Sequence, residues 1–250
     1  MDKKHPGGMR YSKGQCAHCG AVTEVKEYHN LDCSRDPDVK GLLMSEERFF
    51  EWKCPECGMK GFFSYPCWYF DPEKGLGIAL IPNIDSSTGD RALQRMNANL
   101  RGLARSGITH RAVGNFLAMQ EQIAAREYGL DDRTVQLAKP LIIGQLQSEG
   151  KQVWNGYFVQ ILEDTGGEPI PGVLYMSPAG TEPDYSKPVY CYNVYLTDYT
   201  PLAVGVNEHA FRLCQEQLEL SGAQPDSGEF QLYDLNWAID FYNGGEEQDV

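Results

Sequence analysis

The sequence contains no apolar run of the roughly 18–20 residues that a helix needs to cross a bilayer. The segment Met1–Gln15 is polar and contains glycine, and it lacks the apolar stretch of a secretory signal. These two absences predict a cytoplasmic protein without a membrane segment. Cysteines stay reduced in that compartment, so the eight cysteines favour metal or redox chemistry over a disulfide framework.

The motifs of the common enzyme classes are also missing. We find no phosphate-binding glycine loop, no G-x-S-x-G, no H-E-x-x-H and no kinase or dinucleotide signature. His110, His209 and Glu208 show no spacing typical of a metal or acid–base site. Glu208 fits the first turn of a helix instead, where the helix dipole favours an acidic residue. We therefore expect that the protein is not an enzyme, with an enzyme of scattered catalytic residues as an alternative.

Positive charge is scarce. The chain has 22 Lys and Arg against 35 Asp and Glu, a net charge of −13. The acidic residues concentrate in 141–250, whose negative field would repel a nucleic acid. Basic residues concentrate at the N-terminus and in a stripe expected on one face of a helix from Asp90 to Arg105, namely Arg91, Arg95, Arg101 and Arg105. We expect this stripe to be solvated or to meet an acidic protein surface, and contact with nucleic acid is the alternative.

The residue patterns divide the chain into three segments and predict the α+β class. Residues 1–82 are β-rich, with expected strands at Ala21–Tyr28, Arg48–Lys53, Gly61–Phe70 and Gly77–Ile81. Asp36-Pro37 predicts the start of a short helix that runs to about Met44. Residues 83–150 are expected to be a helical connector. Residues 151–250 are expected to form a C-terminal α+β domain, with strands at Trp154–Glu163, Gly172–Met176, Val189–Thr197, Leu202–Val206 and Phe230–Tyr233.

Capping and breaking residues place the helices. After the arginine-bearing helix, a second helix is expected from Asn115 to about Tyr128, ending at Gly129. A third begins with Asp131 or Asp132 as its cap, and Pro140 is expected to kink or end it. Asn207 should cap a helix whose apolar stripe consists of Phe211, Cys214 and Leu218. A brief helix is expected around Asn236–Phe241, and the acidic end Glu246–Val250 is expected to fray.

Two cysteine motifs of identical form are the most specific feature. Cys16-Ala-His-Cys19-Gly20 and Cys54-Pro-Glu-Cys57-Gly58 both read C-x-x-C-G, with 34 residues between the two pairs. Two intervening residues let both sulfurs of a pair bind one metal ion from a tight turn, and the following glycine supplies the positive φ of that turn. Two such loops on adjacent hairpins would complete a tetrahedral shell. Four thiolates leave no open position, so we predict one structural zinc ion bound by Cys16, Cys19, Cys54 and Cys57.

The same cysteine motifs permit other interpretations. Two dithiol redox centres would use the same spacing, but thioredoxin-like motifs open a helix, whereas strand-like sequence follows each pair here. An iron–sulfur centre is the remaining alternative for the four. His18 lies inside the first motif and is expected near the centre or at the surface rather than as a ligand. The four single cysteines are expected to be small buried side chains: Cys33, Cys67, Cys191 and Cys214.

A family resemblance rests on these motifs and on neighbouring ones. Cys54-Pro55-Glu56-Cys57-Gly58, an aromatic strand, Tyr65-Pro66 and Asp71-Pro72-Glu73-Lys74 resemble the CpXC domain, a bacterial family named for its paired cysteine motifs. The similarity continues at Asp36-Pro37, Gly129-Leu130-Asp131-Asp132-Arg133 and Asn236-Trp237-Ala238. One departure is Ala17, where the family pattern has proline, which only stiffens the turn. The resemblance implies a bacterial zinc-ribbon-like protein and no particular activity.

Together these observations predict a zinc-stabilised interaction module that binds another protein or assembles with itself. In this interpretation residues 1–82 form a zinc-ribbon-like β domain. The first alternative is a nucleic-acid-binding regulator that uses the basic N-terminus and the arginine stripe. The other is a hydrolase or redox enzyme whose site has no recognisable motif.

Overall fold

The computed structural model describes residues 8–45, 50–88, 90–198, 200–223 and 228–244. Helices and strands are mixed, which confirms the α+β class. The chain forms two compact units. The first extends to Gln120 and includes Gly228–Leu232, and the second begins at Glu121 and includes the residues from Tyr233 onward.

The first unit consists mainly of strands, as expected for its N-terminal part. Its elements are β1 (Met9–Gln15), β2 (Val22–Tyr28), β3 (Asn30–Asp32), α1 (Asp38–Ser45), β4 (Glu51–Lys53), β5 (Lys60–Phe62), β6 (Cys67–Asp71), β7 (Leu76–Leu80), α2 (Asp90–Leu100), β8 (Thr109–Val113) and the start of α3 (Phe116–Glu127). Two of its sheets are isolated hairpins, β1–β2 and β4–β5. The third has the strand order β3-β6-β7-β8, in which only the central pair β6–β7 is antiparallel.

Two strand predictions in this unit need correction. The strand expected over Gly61–Phe70 is two strands, β5 and β6, because Pro66 has no N–H for a ladder and interrupts the run. The strand expected over Arg48–Lys53 is observed only at Glu51–Lys53, and residues 46–49 lie outside the described part of the chain. The expected helix after Asp36-Pro37 is confirmed as α1.

Helix α2 is shorter than the sequence predicts, and this breaks the arginine stripe. The helix ends at Leu100, so Arg101 and Arg105 do not lie on it. Gly102 follows at once, and glycine is a poor helix former. The Arg105 guanidinium turns back and donates to the carbonyl oxygens of Gly102 and Ala104, at 3.0 and 2.9 Å. The apolar face is confirmed, because Met96 is buried in a cluster with residues of β7, β8 and the segment 228–232.

The second unit packs helices against one four-stranded sheet. Its elements, after the end of α3, are α4 (Asp132–Ser148), β9 (Val153–Leu162), β10 (Val173–Leu174), β11 (Val189–Leu196), β12 (Pro201–Asn207), α5 (Glu208–Leu220) and α6 (Leu235–Tyr242). The strand order is β10-β12-β11-β9, and only β10–β12 is parallel. The sequence predicts three segments, whereas the structure has two units. Residues 83–150, which were expected to be a separate helical connector, contribute β8 to the first unit and α4 to the second.

Helix α4 does not end at Pro140, which was one of the two outcomes predicted for this residue; the other was a kink. The helix runs through this proline to Ser148. A proline inside a helix costs roughly 3 kcal/mol, which packing can offset. Here Val135, Ala138 and Ile142 of α4 are buried in the core of the unit. Tertiary packing therefore outweighs the local penalty, and the helix continues.

The predicted caps of the second unit are confirmed. The Asp131 side chain accepts from the Arg133 N–H at the start of α4, and the Asn207 side chain accepts from the Ala210 N–H at the start of α5. The α5 stripe of Phe211, Cys214 and Leu218 is buried. The strand expected at Phe230–Tyr233 is reduced to a single bridge between Arg111 and Gln231. The expected fraying of Glu246–Val250 concerns residues outside the description.

A membrane-spanning helix requires length and an apolar surface together. In the part of the chain that the structure describes, no helix combines the two.

Candidate metal centre

Each C-x-x-C-G motif forms the loop of a hairpin. Cys16 and Cys19 lie between β1 and β2, and Cys54 and Cys57 lie between β4 and β5. The two loops repeat one hydrogen-bond pattern. In each loop the backbone carbonyl oxygen of the first cysteine accepts a hydrogen bond from the N–H of the glycine, at 2.8 Å for Gly20 and 2.9 Å for Gly58. Both glycines have φ +74°, which confirms the left-handed turn expected from the sequence.

Close packing brings the two hairpins together. A Cβ atom at Gly14 would lie 2.5 Å from Phe63 Cζ and 2.6 Å from Val25 Cγ2, so only glycine fits at this point of β1. Trp52 Nε1 of β4 donates to Thr23 Oγ1 of β2 at 3.2 Å. Within the second hairpin the Trp52 and Phe63 rings meet edge to face, with centroids 5.2 Å apart, and Phe63 is the side chain that lies against Gly14. These contacts place loops that are distant in sequence side by side.

The four sulfurs form one compact set. Cys16 Sγ lies 3.7 Å from Cys57 Sγ, and Cys19 Sγ lies 3.6 Å from Cys54 Sγ. All four lie within 4.8 Å of one another. A tetrahedral ion with metal–sulfur bonds of about 2.3 Å separates its sulfur ligands by about 3.8 Å. The set therefore fits a single tetrahedral ion, whereas a cluster of several irons and sulfides would hold the cysteine sulfurs farther apart.

The electrostatics of the four thiols favour a cation. The backbone N–H of Cys19 is directed at the Cys16 sulfur and lowers the pKa of that thiol to about 6. At Cys19 the Ala21 N–H acts in the same direction, but desolvation and the neighbouring sulfurs outweigh it and raise the pKa to about 12. Four thiolates this close repel one another, so they can ionise together only around a positive ion.

The remaining sequence-predicted residues lie outside this set. His18 is exposed in the first loop. Among the residues described, no other group of His, Cys, Asp or Glu side chains could hold a metal ion. Cys67 and Cys214 are buried as expected, whereas Cys33 and Cys191 are only half-buried. Desolvation raises the pKa of all four of these thiols, so they are neutral near pH 7.

Two buried polar clusters were not anticipated from the sequence. In the first unit the Asp71 carboxylate accepts from Lys40 Nζ at 3.2 Å and from Tyr69 Oη at 3.4 Å. In the second unit Glu121 bonds to Lys139 and Gln136, both in α4. The sequence carries one signal for the first cluster, the Asp71-Pro72 turn. It carries none for the second, because these residues share helix faces with apolar neighbours.

A comparison with known proteins finds a family match, and it covers the part of the chain that contains the four cysteines. The family model described as CpXC protein matches residues 15–139, which is half of the chain and contains all four clustered cysteines. No curated protein and no solved structure matches the sequence. The match agrees with the resemblance carried by the cysteine motifs and by Asp71-Pro72-Glu73-Lys74. The chain belongs to the CpXC family of proteins.

Proposed function

We propose that Cys16, Cys19, Cys54 and Cys57 bind one structural zinc ion, and that the two hairpins joined by it form a protein-interaction module of a cytoplasmic protein. Zinc is favoured because it prefers tetrahedral thiolate sites of the size observed here. The role is structural because four protein sulfurs leave no position for water or substrate. In this proposal the ion fixes the two hairpins, each of which is a separate two-stranded sheet, and thereby shapes the surface they present.

The observation that carries the interaction proposal is the exposure of large apolar side chains on these hairpins. Tyr11 is 61% exposed on β1, Val22 is 62% exposed on β2, and Met59 is 48% exposed at the end of the second loop. Tyr11 and Val22 lie on the same, outward face of the β1–β2 hairpin. Val22 is opposite Gln15, and Gln15 is on the same face of β1 as Tyr11 because the two are four residues apart. Large apolar side chains left exposed to solvent are candidates for a surface that binds protein.

A triple variant tests this proposal. Tyr11→Ser, Val22→Ser and Met59→Ser together remove the exposed apolar groups and leave the cysteines and the buried hairpin contacts in place. Leu220→Ser is the matched control, since Leu220 is 80% exposed and belongs to the second unit. Sedimentation velocity measures self-association, and capture from the native host with wild type and both variants in parallel measures binding of other proteins.

We expect the triple variant to lose an association that wild type and Leu220→Ser share, with zinc content unchanged in all three. An association that all three proteins show equally would overturn the role of this surface. Salt-dependent binding of duplex DNA or RNA, abolished when Arg91, Arg95, Arg101 and Arg105 are changed to Gln, would support the nucleic-acid alternative instead.

A further inference from the structure

The two sulfur pairs that lie 3.6 and 3.7 Å apart across the hairpins each consist of one exposed and one buried cysteine. Cys57 is exposed and lies 3.7 Å from buried Cys16, and Cys19 is exposed and lies 3.6 Å from buried Cys54. In both pairs the exposed cysteine belongs to one hairpin and the buried cysteine to the other. A cysteine that an oxidant can reach, with a second cysteine in contact behind it, is the arrangement of a redox-sensitive thiol pair.

We propose that the metal centre is also a redox switch, in which hydroperoxides convert the four thiolates into two disulfides between the hairpins, Cys16–Cys57 and Cys19–Cys54, and release the zinc ion. This inference rests on the proposed zinc centre. It adds a modification to that site, and it predicts that oxidation leaves the hairpins covalently joined after the metal has gone.

The chemistry balances with one hydroperoxide for each disulfide. The exposed thiolate attacks the terminal peroxide oxygen, so that a sulfur–oxygen bond forms and the oxygen–oxygen bond breaks. The leaving group, hydroxide from hydrogen peroxide or alkoxide from an organic hydroperoxide, takes a proton from solvent to become water or an alcohol. The buried thiolate of the other hairpin then attacks the sulfenic sulfur. A sulfur–sulfur bond forms, the sulfur–oxygen bond breaks, and the departing hydroxide takes a proton from solvent to become water, so two thiolates are oxidised and one peroxide is reduced.

The distances are compatible with this product. A disulfide needs its sulfurs about 2.0 Å apart, so each pair must close by about 1.6 Å from the separation seen here. Loss of the ion to which all four sulfurs are bound permits that movement. Because the pairs run between hairpins, the two disulfides replace the metal as the link between β1–β2 and β4–β5.

The positions of the lysines make this connectivity easy to measure. Trypsin cuts after Lys13 and Lys26, and after Lys53 and Lys60, so each hairpin loop is released as one peptide that contains both of its cysteines. A disulfide between hairpins joins the two peptides. A disulfide within a C-x-x-C motif leaves them separate, each lighter by two hydrogens.

The experiment uses the zinc-loaded full chain and hydrogen peroxide. Zinc content is measured first, so that failure of the proposed zinc centre is recognised before oxidation begins. A chromophoric chelator then follows zinc release, iodoacetamide blocks the remaining thiols, and mass spectrometry of the tryptic digest identifies the linked peptides. Cys33 and Cys191 are the internal controls, because both are half-buried and neither is paired with another sulfur among the described residues.

We expect peroxide to release the zinc in step with the joining of the two loop peptides, with fragment ions that assign Cys16–Cys57 and Cys19–Cys54. A sulfenic-acid trap should label Cys19 and Cys57 before Cys16 and Cys54, and Cys33 and Cys191 should be recovered as free thiols. Resistance of the first unit to limited proteolysis should persist after zinc has left. Separate peptides with internal disulfides, oxidation without zinc release, or collapse of the first unit on oxidation would each overturn the proposal.

Discussion

One carboxylate, that of Glu121, joins helix α3, helix α4 and strand β9 in the core of the second unit. Its Oε2 atom accepts from Lys139 Nζ and from Gln136 Nε2, both at 2.8 Å, and its Oε1 atom accepts from the Phe158 N–H at 2.7 Å. The Lys139 and Glu121 side chains are only 3% and 1% exposed. Removing one partner of such a pair leaves the other charge buried and unpaired, which is far more costly than the net value of the pair.

Lys139→Met keeps most of the side-chain volume and removes the ammonium group. We expect it to lower the free energy of unfolding of the second unit by about 3–5 kcal/mol, because Glu121 is left as an uncompensated buried anion. Glu121→Gln should cost a similar amount, since Lys139 is then unpaired. The double variant contains neither charge, and Gln at position 121 can still accept from the Phe158 N–H. Its loss should therefore be smaller than that of either single variant.

Native-state hydrogen exchange of peptides from α4 and β9 measures this free energy separately from the first unit. Lys151→Met is the control, because Lys151 pairs with Glu149 on the surface, and exposed pairs contribute at most about 1 kcal/mol. Two results would refute the reasoning: Lys139→Met within about 1 kcal/mol of wild type, or a double variant less stable than both single ones.

Three further predictions concern the metal centre. Cys54→Ser should abolish zinc binding and expose the residues up to about Pro82 to limited proteolysis while the second unit stays resistant, because metal binding is coupled to folding; Cys33→Ser is the control, and an unchanged digest would contradict this. The raised pKa of Cys19, about 12, means that this thiol is protonated before zinc binds. Zinc binding therefore releases this proton, and a higher proton concentration opposes the release, so the affinity should fall from about pH 8 to about pH 6. An affinity that stays the same over this range in a chelator competition would contradict the assignment. Gly14→Ala should weaken zinc binding, because its Cβ would lie 2.5 Å from Phe63, whereas Gly61→Ala meets nothing within 4 Å and should bind as wild type does.

The two cysteine loops could be predicted from the sequence because the geometry of each loop is local. The C-x-x-C-G spacing determines the loop, and the positive φ of Gly20 and Gly58 follows from the turn. The same locality explains the success of the caps, since Asp131 and Asn207 act on N–H groups two or three residues away. Features encoded within a few residues were therefore predicted correctly.

Features that depend on distant partners were not predicted. Strand β8 has only five residues and is defined by its pairing with β7, which is distant in sequence. Helix α4 passes through Pro140 because the core supports it on several sides. The packing of Phe63 against Gly14 joins two hairpins that no sequence pattern connects. The pairing of Glu121 with Lys139 has the same origin, since helical periodicity describes a face and does not identify its partner.

The central claim is that the four clustered cysteines hold one structural zinc ion. Elemental analysis of protein purified under reducing conditions without added metal, combined with native mass spectrometry, tests it most directly. We expect one zinc ion per chain in wild type and none in Cys54→Ser. Iron with sulfide in the wild-type protein, or a reduced and folded wild-type chain that contains no metal, would contradict the claim.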